Sequence, residues 1–237
     1  MQNLRSYQII DYVKAGKHCS LRQLQERFGV SQATIYRDVA SLVAHGSLRR
    51  IRGGVAALEK PEAAVAAGGG YRDRLERNRS AKERIARKAL GMVADGDIVF
   101  FDSSTTVACL AQMLPERQFG ALTIITNSVS VLEMFPRFPS HWVRIALGGA
   151  YDSQLNSLLG QETFRQLDAL TLTKAFVSSY GIDDHNATTN HENQAALIGR
   201  VLAKAPEKYL LVDRSKFGRT GLYRLSARGA FDDIVSA

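Results

Sequence analysis

The sequence predicts an α/β protein in two parts: a small N-terminal winged helix-turn-helix, then a linker, then a larger Rossmann-like domain. Three observations carry this. The first sixty residues read as short helices closed by glycines, followed by a basic hairpin. Residues 56–70 are a composition break rich in Ala and Gly. Beyond them, short apolar β-branched runs alternate with helix-patterned segments, as in a mostly parallel sheet covered on both faces. The expected boundaries are 1–57 for the first domain, 58–75 for the linker and 76–237 for the second domain.

Each element follows from its local pattern. Arg5 to Ala15 reads as a helix with Leu4, Ile9 (or Ile10), Tyr12 and Val13 as its apolar stripe. Ser20-Leu-Arg-Gln23 has the form of a capping box that opens a second helix, with Leu21, Leu24 and Phe28 on one face and Gly29 as its stop. Ser31 can cap a third helix running to about His45, closed by Gly46. Leu48 to Val55, β-branched and basic with a Gly pair, reads as a short hairpin. After the linker, which the Gly run makes flexible, Ser80-Ala-Lys-Glu83 is a second capping box, opening a helix with Ile85, Ala89 and Val93 inward. Strands are expected at Ile98–Phe101, Leu122–Thr126, Trp142–Leu147, Ala175–Ser178 and Tyr209–Val212. Helices are expected at Thr105–Met113, Ser128–Met134, Glu162–Leu170 and Glu192–Leu202.

Composition excludes several classes. At 45% hydrophobic and 23% charged, the 237 residues are too rich in core formers for a disordered chain. No apolar run approaches the ~18 residues of a membrane helix, so no spanning segment is expected. Without a secretory apolar region at the N-terminus, a cytoplasmic protein is expected. Cys19 and Cys109 cannot make a disulfide framework and read as small buried hydrophobes. The net charge of +8 is uneven. Residues 1–60 hold ten Lys/Arg against four Asp/Glu, the rest twenty-one against nineteen. Most of the excess sits on the first quarter, which suggests a polyanion partner there.

The third helix supplies a reading face. With Ile35 inward, 100° per residue places Val39 and Leu42 beside it, and Ala33, Tyr36, Arg37, Ala40 and Ala44 on the opposite side. Such a face can enter a major groove, where Arg37 or Gln32 could read base edges and Ala33 could touch a thymine methyl. Ser31, Thr34 and the helix N-terminus would hold phosphates, and Ser20 at the start of the second helix joins that set. Arg49, Arg50 and Arg52 sit where a wing would meet the backbone. Spacing alone leaves open a three-helix bundle with a solvated basic face. Val30-Ser31-Gln-Ala-Thr34-Ile35-Tyr36-Arg37-Asp38-Val39, then Gly46-Ser-Leu48-Arg49-Arg50 and Gly53-Gly54, resembles the signature of DeoR-family transcriptional regulators. The family commonly has Arg-Arg-Asp where this chain has Tyr36-Arg37-Asp38, and often His where it has Arg52. Both departures bear on operator choice.

A second site is read from strand ends. Asp102-Ser103-Ser104-Thr105-Thr106 follows the strand at Ile98–Phe101 and opens a helix, where unpaired N–H groups and hydroxyls suit an anion. Asn127, Gly148-Gly149, Gly181-Ile-Asp183 and Asp213-Arg-Ser215-Lys216 recur at other strand ends, and ligands of open parallel sheets bind beyond that edge. Lys216 would neutralise phosphate, while Asp102, Asn127 and Asp183 would bond sugar hydroxyls. Each also has a structural reading as a cap, a turn or a solvated charge. Residues from about Arg77 to Gly218 resemble the DeoR-type sensor domain, similar in fold to ribose-5-phosphate isomerase. The matching pieces include Asn78-x3-Lys82-x2-Ile85-Ala86, Asp102-x-Ser104-Thr105-Thr106, Thr126-Asn127-Ser128, Leu147-Gly148-Gly149, Gly181-Ile182-Asp183, Glu192 and Asp213-x-Ser215-Lys216-Phe217-Gly218. Ala187 stands where the family often has Gly.

The resemblance implies a regulator that binds double-stranded operator DNA and senses a phosphorylated sugar, most simply a repressor of a carbohydrate catabolic operon. A dimer or tetramer is implied, since helix-turn-helix proteins read paired half-sites. The effector set is Asp102, Ser103, Ser104, Thr105, Thr106, Asn127, Gly148, Gly149, Asp183, Glu192 and Lys216. The alternative is an isomerase-like enzyme with an appended nucleic-acid module, in which Asp183, Asp184 and Glu192 would move protons. A single-stranded RNA binder lacks aromatic-rich strands for stacking. The five His are scattered, and neither a metal nor a cofactor is expected.

Overall fold

The computed structural model describes residues 8, 9, 12, 13, 16, 18–44, 48–51, 53–57 and 70–237. The chain divides into two compact units, Met1–Val65 and Ala66–Ala237.

In the first unit, residues 8, 9, 12 and 13 of the expected first helix are helical, with Ile9 and Val13 fully buried. Leu4 and Ile10 lie outside the described residues. Tyr12, expected in the apolar stripe, is exposed and meets the Phe28 ring edge-on at 6.2 Å. Helix α1 (Leu21–Phe28) opens on the expected capping box: Gln23 N–H donates to Ser20 Oγ at 3.2 Å, and Ser20 N–H to Gln23 Oε1 at 2.8 Å. Gly29 ends it in the left-handed region at φ 61°. Helix α2 (Gln32–Ala44) follows, and its Ile35, Val39 and Leu42 pack with Leu24 in one cluster. A strand that the sequence did not announce, β1 (His18–Ser20), pairs with β3 (Gly54–Ala57), which also pairs with β2 (Leu48–Ile51), all antiparallel. A side chain at Gly54 would run into the Cys19 carbonyl, so only glycine lets the third strand close this small sheet.

The second unit is built on a six-stranded sheet in the order β14-β12-β9-β4-β5-β6. Its strands are β4 (Ile98–Phe101), β5 (Thr123–Thr126), β6 (Val143–Ala146), β9 (Lys174–Val177), β12 (Glu207–Leu211) and β14 (Asp233–Val235), and every neighbouring pair is parallel. Alternation splits the core in two. Val99 and Phe101 face helices α4 (Arg79–Leu90) and α5 (Thr105–Met113). Phe100 faces α7 (Gln161–Asp168) and α8 (Glu192–Lys204). All three side chains are fully buried, each worth ~1.5–3 kcal/mol if transferred from water. The expected strands and helices are present with ends moved by a residue or a few. The helix expected at Ser128–Met134 is the four-residue α6 (Val129–Leu132); additions are strand β14, a hairpin of β7 (Ala150–Asp152) and β8 (Ser157–Leu159), and an antiparallel sheet of β10 (Gly181–Ile182), β11 (Asn186–Thr189) and β13 (Tyr223–Ala227).

Two expectations near residue 75 need correction. The expected linker runs to 75, yet Tyr71–Glu76 forms helix α3, with Tyr71 buried and the helix packed against α5. Lys82 explains it. Its ammonium, almost fully buried, donates to the carbonyls of Arg74, Leu75 and Arg77, which the end of so short a helix would leave orphaned. The Ser80–Glu83 capping box does not form either. Helix α4 starts two residues earlier, behind Asn78 at φ 55°, and Glu83 pairs with Arg79 at 3.1 Å.

Candidate functional site

In the first unit, the expected reading face is solvent-exposed: Ser31, Gln32, Ala33, Tyr36, Arg37 and Ala40 are all exposed, and Thr34 is half-buried. Thr34 N–H donates to Ser31 Oγ at 3.3 Å, and the two hydroxyls are 2.9 Å apart, so this pair caps α2. The Arg50 guanidinium lies 5.1 Å from the Tyr36 ring centroid, which joins the hairpin to the helix face. Ser20 is occupied by its capping box. Arg52 and the side chain of Arg49 lie outside the described residues.

In the second unit, strand order locates the cleft. The chain runs β4, β5, β6 outward on one side, then returns to β9, β12, β14 on the other. The direction of winding therefore reverses between β4 and β9, where open α/β sheets bind ligands. Asp102 stitches this seam: its carboxylate accepts Ser104 N–H at 2.9 Å and Ser178 N–H at 2.8 Å. Complete burial pushes its carboxyl up to about 6 against the pull of those bonds.

Above the seam lies a cleft lined by Ser103, Ser104, Thr105 and Thr106 after β4, by Ser178, Ser179 and Tyr180 after β9, and by Asp213, Ser215, Lys216 and Arg219 after β12. Ser104 caps α5 through Val107 N–H at 3.2 Å, leaving the first N–H groups of the helix without intrahelical partners. Ser179 is 8% exposed, and its hydroxyl has no hydrogen-bond partner among the described residues. Lys216 is half-buried; desolvation lowers its ammonium to about 8, opposed by the charge of Asp213 and aided by Arg219 and Arg74. Lys216 Nζ and Arg219 Cζ lie 5.7 and 5.6 Å from the centroid of Tyr180.

Five of the expected effector residues, Ser103 to Thr106 and Lys216, thus line one cleft. Six do not. Asp102 lies beneath it. Asn127 donates to the Leu158 carbonyl at 3.2 Å, and Gly148 N–H donates to Gln166 at 2.8 Å, because the loops after β5 and β6 turn away on the far side of the reversal. Gly149, at φ 151°, is there for packing: a side chain would meet Thr163 and the Leu159 carbonyl. Asp183 closes the β10–β11 turn by accepting the N–H groups of Asn186 and His185, which hold its carboxyl below the usual range. Glu192 is exposed at the start of α8, whose neighbours His191 and Gln194 line the cleft in its place.

Sequence reasoning missed Arg74 and Arg77, which line the cleft from α3 and its C-terminal end, as do Asn78 and Lys82. Asn78 reaches Asp213 at 3.1 Å and Ser215 at 3.3 Å, tying the α3–α4 junction to the loop after β12. Burial lowers both Arg74 and Lys82 from their ordinary values. Among the described residues, no group of three or more His, Cys, Asp or Glu could hold a metal ion, and no helix is long and apolar enough to cross a membrane.

A helix-turn-helix with an exposed cationic face, carried on one chain with an α/β cleft rich in cations, defines a DNA-binding regulator with a sensor unit. The chain belongs to the DeoR family: the DeoR C terminal sensor domain matches residues 77–237, and the DeoR-like helix-turn-helix domain matches residues 5–61. It is similar to the HTH-type transcriptional regulator IolR of Bacillus subtilis (strain 168), 29% identical over 94% of this chain and 86% of that protein. A lactose phosphotransferase system repressor of Streptococcus mutans is 31% identical over 86% of this chain and 80% of its own. Among solved structures, a D-ribose-5-phosphate isomerase in complex with phospho-erythronic acid is 16% identical, with a TM-score of 0.43, over 59% of this chain and 54% of that one. The chain therefore spans about half the length of that isomerase chain.

Proposed function

We propose that this protein is a cytoplasmic repressor of carbohydrate-metabolism genes whose DNA binding is relieved by a phosphorylated sugar. The observation that carries the effector half is the convergence, at the winding reversal, of the α5 N-terminus, Lys216 and the unpartnered Ser179 hydroxyl. Those are donors for an anion, with Ser179 buried and Lys216 half-buried. Polar side chains such as Thr189 and Gln194, themselves bonded at 2.6 Å, offer partners for sugar hydroxyls. The operator half rests on the exposed face of α2. Arg37 and Gln32 read base edges, Ala33 approaches a methyl, and Ser31, Thr34 and the wing arginines hold phosphates.

Ligand acts by population shift: it binds better to an arrangement of a dimer or tetramer whose reading helices no longer fit paired half-sites. Turnover is not part of this reading. Asp183 and Asp184 sit on a turn outside the cleft, and Asp184 is fully exposed beside Arg228 at 3.7 Å. That leaves Asp213 as the carboxylate among the cleft-lining residues, its side chain engaged by Asn78 and Ser215.

The test is a mobility shift with an operator selected from a random duplex pool, repeated with matching RNA. Arg37→Ala should weaken duplex binding ~10–100-fold, the worth of a bidentate base contact, with unfolding and ligand binding unchanged. Lys216→Ala should keep DNA binding but raise the sugar-phosphate concentration needed for release. Preference for RNA, or release of Lys216→Ala at the wild-type concentration, would overturn the respective half.

A further inference from the structure

Tyr36 is the aromatic side chain on the exposed face of α2, and it stays 45% exposed. The fold does not use it, since Ile35, Val39 and Leu42 supply the buried side of the helix. Its neighbours three and four residues away on the same side are Ala33 and Ala40, both exposed. Between two methyl side chains the phenol ring stands proud of the helix surface. Arg50 reaches that ring for a reason of strand geometry. Leu48 and Arg50, two residues apart on β2, point to the same face of the hairpin. Leu48 is fully buried in one cluster with Ile35 and Val39, so this is the face packed on α2. Arg50 therefore leaves the hairpin toward the helix, and its guanidinium ends over the Tyr36 ring, 5.1 Å from the centroid. The ring offers it no oxygen, and no carboxylate pairs with Arg50 among the described residues. Its N–H donors stay available to a phosphate.

Resting on the operator reading of α2, we infer that Tyr36 is a sequence-selecting residue that packs its ring on a thymine 5-methyl group, with Arg50 as its positioning residue. The ring carries no charge and a single hydroxyl, so it cannot read a base by paired hydrogen bonds. The apolar feature of the major-groove edge is the thymine methyl, which cytosine lacks. Unsupported, the ring swings about two side-chain torsions. A guanidinium on one ring face limits that swing. The same guanidinium, bonded to the phosphate beside that thymine, ties the ring to one base step. The phosphate contact sets position and the ring reads the methyl. Ala33 and Ala40 leave room on either side for the base pairs to approach.

Mobility shifts of the full chain on an operator selected from a random duplex pool test this, with each thymine replaced in turn by deoxyuridine, which removes only the 5-methyl. Wild-type protein should lose about fourfold in affinity at the thymine that Tyr36 touches, or ~0.8 kcal/mol, the worth of one buried methyl. Tyr36→Ala should bind the thymine and deoxyuridine forms of that position alike and keep any other deoxyuridine penalty. Tyr36→Phe should retain the penalty, because the ring and not the hydroxyl makes the contact. Arg50→Ala should cut it to about twofold at the same position and reduce the salt slope by about one phosphate contact. No deoxyuridine penalty in the wild type, a penalty untouched by Tyr36→Ala, or one lost in Tyr36→Phe would overturn the inference and leave operator binding through Arg37 standing. A wild-type profile in Arg50→Ala would overturn the positioning role. If the wild type selects no duplex, the operator reading beneath it falls as well.

Discussion

The reading face of α2 and the cleft of the second unit differ in what their polar groups do before any partner arrives. On α2, Gln32, Ala33, Tyr36 and Arg37 stand in solvent on one helix, a few residues apart. In the cleft, groups from segments near 75, 103, 179 and 216 meet half-buried, and many are already bonded to the protein. A face of the first kind is replaceable residue by residue at small cost to the fold. A cleft of the second kind is part of the fold, and altering it affects stability and binding together.

Lys82 gives the largest contrast. Lys82→Met strands three carbonyls around a buried helix end, and should cost the second unit about 3 kcal/mol, as lost charged hydrogen bonds do. Differential scanning calorimetry should show its transition lowered by about 8 °C, with the first unit's transition unmoved. Two unchanged transitions would mean the ammonium is not holding α3. A middle-sized effect comes from pH. An anion prefers the charged lysine, and Lys216 titrates at about 8, so sugar-phosphate affinity is intact below that value and declines above it. Between pH 7 and 9 it should weaken about tenfold, and Lys216→Met should flatten that profile. The smallest effect is Arg50→Ala. Loss of its contact with Tyr36 should destabilise the first unit by about 0.5 kcal/mol; a shift above 2 kcal/mol would show that the hairpin depends on it structurally.

The same contrast explains what was legible in the sequence. The face of α2 follows from one number, 100° per residue, applied to a contiguous stretch, so Ile35 and Val39 inward and Arg37 outward could be read directly. The β4 turn was legible because strand, hydroxyl run and helix are consecutive. Arg74 was not, because its place depends on Lys82 reaching back eight residues to its carbonyl, a contact with no local signature. Asn127 and Gly148 were misplaced for a topological reason: a strand end marks a loop at the ligand edge, but only the order of strands says on which side of the reversal it falls. Strands as short as Gly181–Ile182 and His18–Ser20 carry too few residues to show alternation.

Asp102 leaves a last consequence. With both carboxylate oxygens taken by Ser104 and Ser178, the floor beneath the hydroxyl run is already rigid when a guest arrives. Little conformational freedom is left for docking to quench there, so contacts made by the incoming molecule are converted into affinity nearly undiminished.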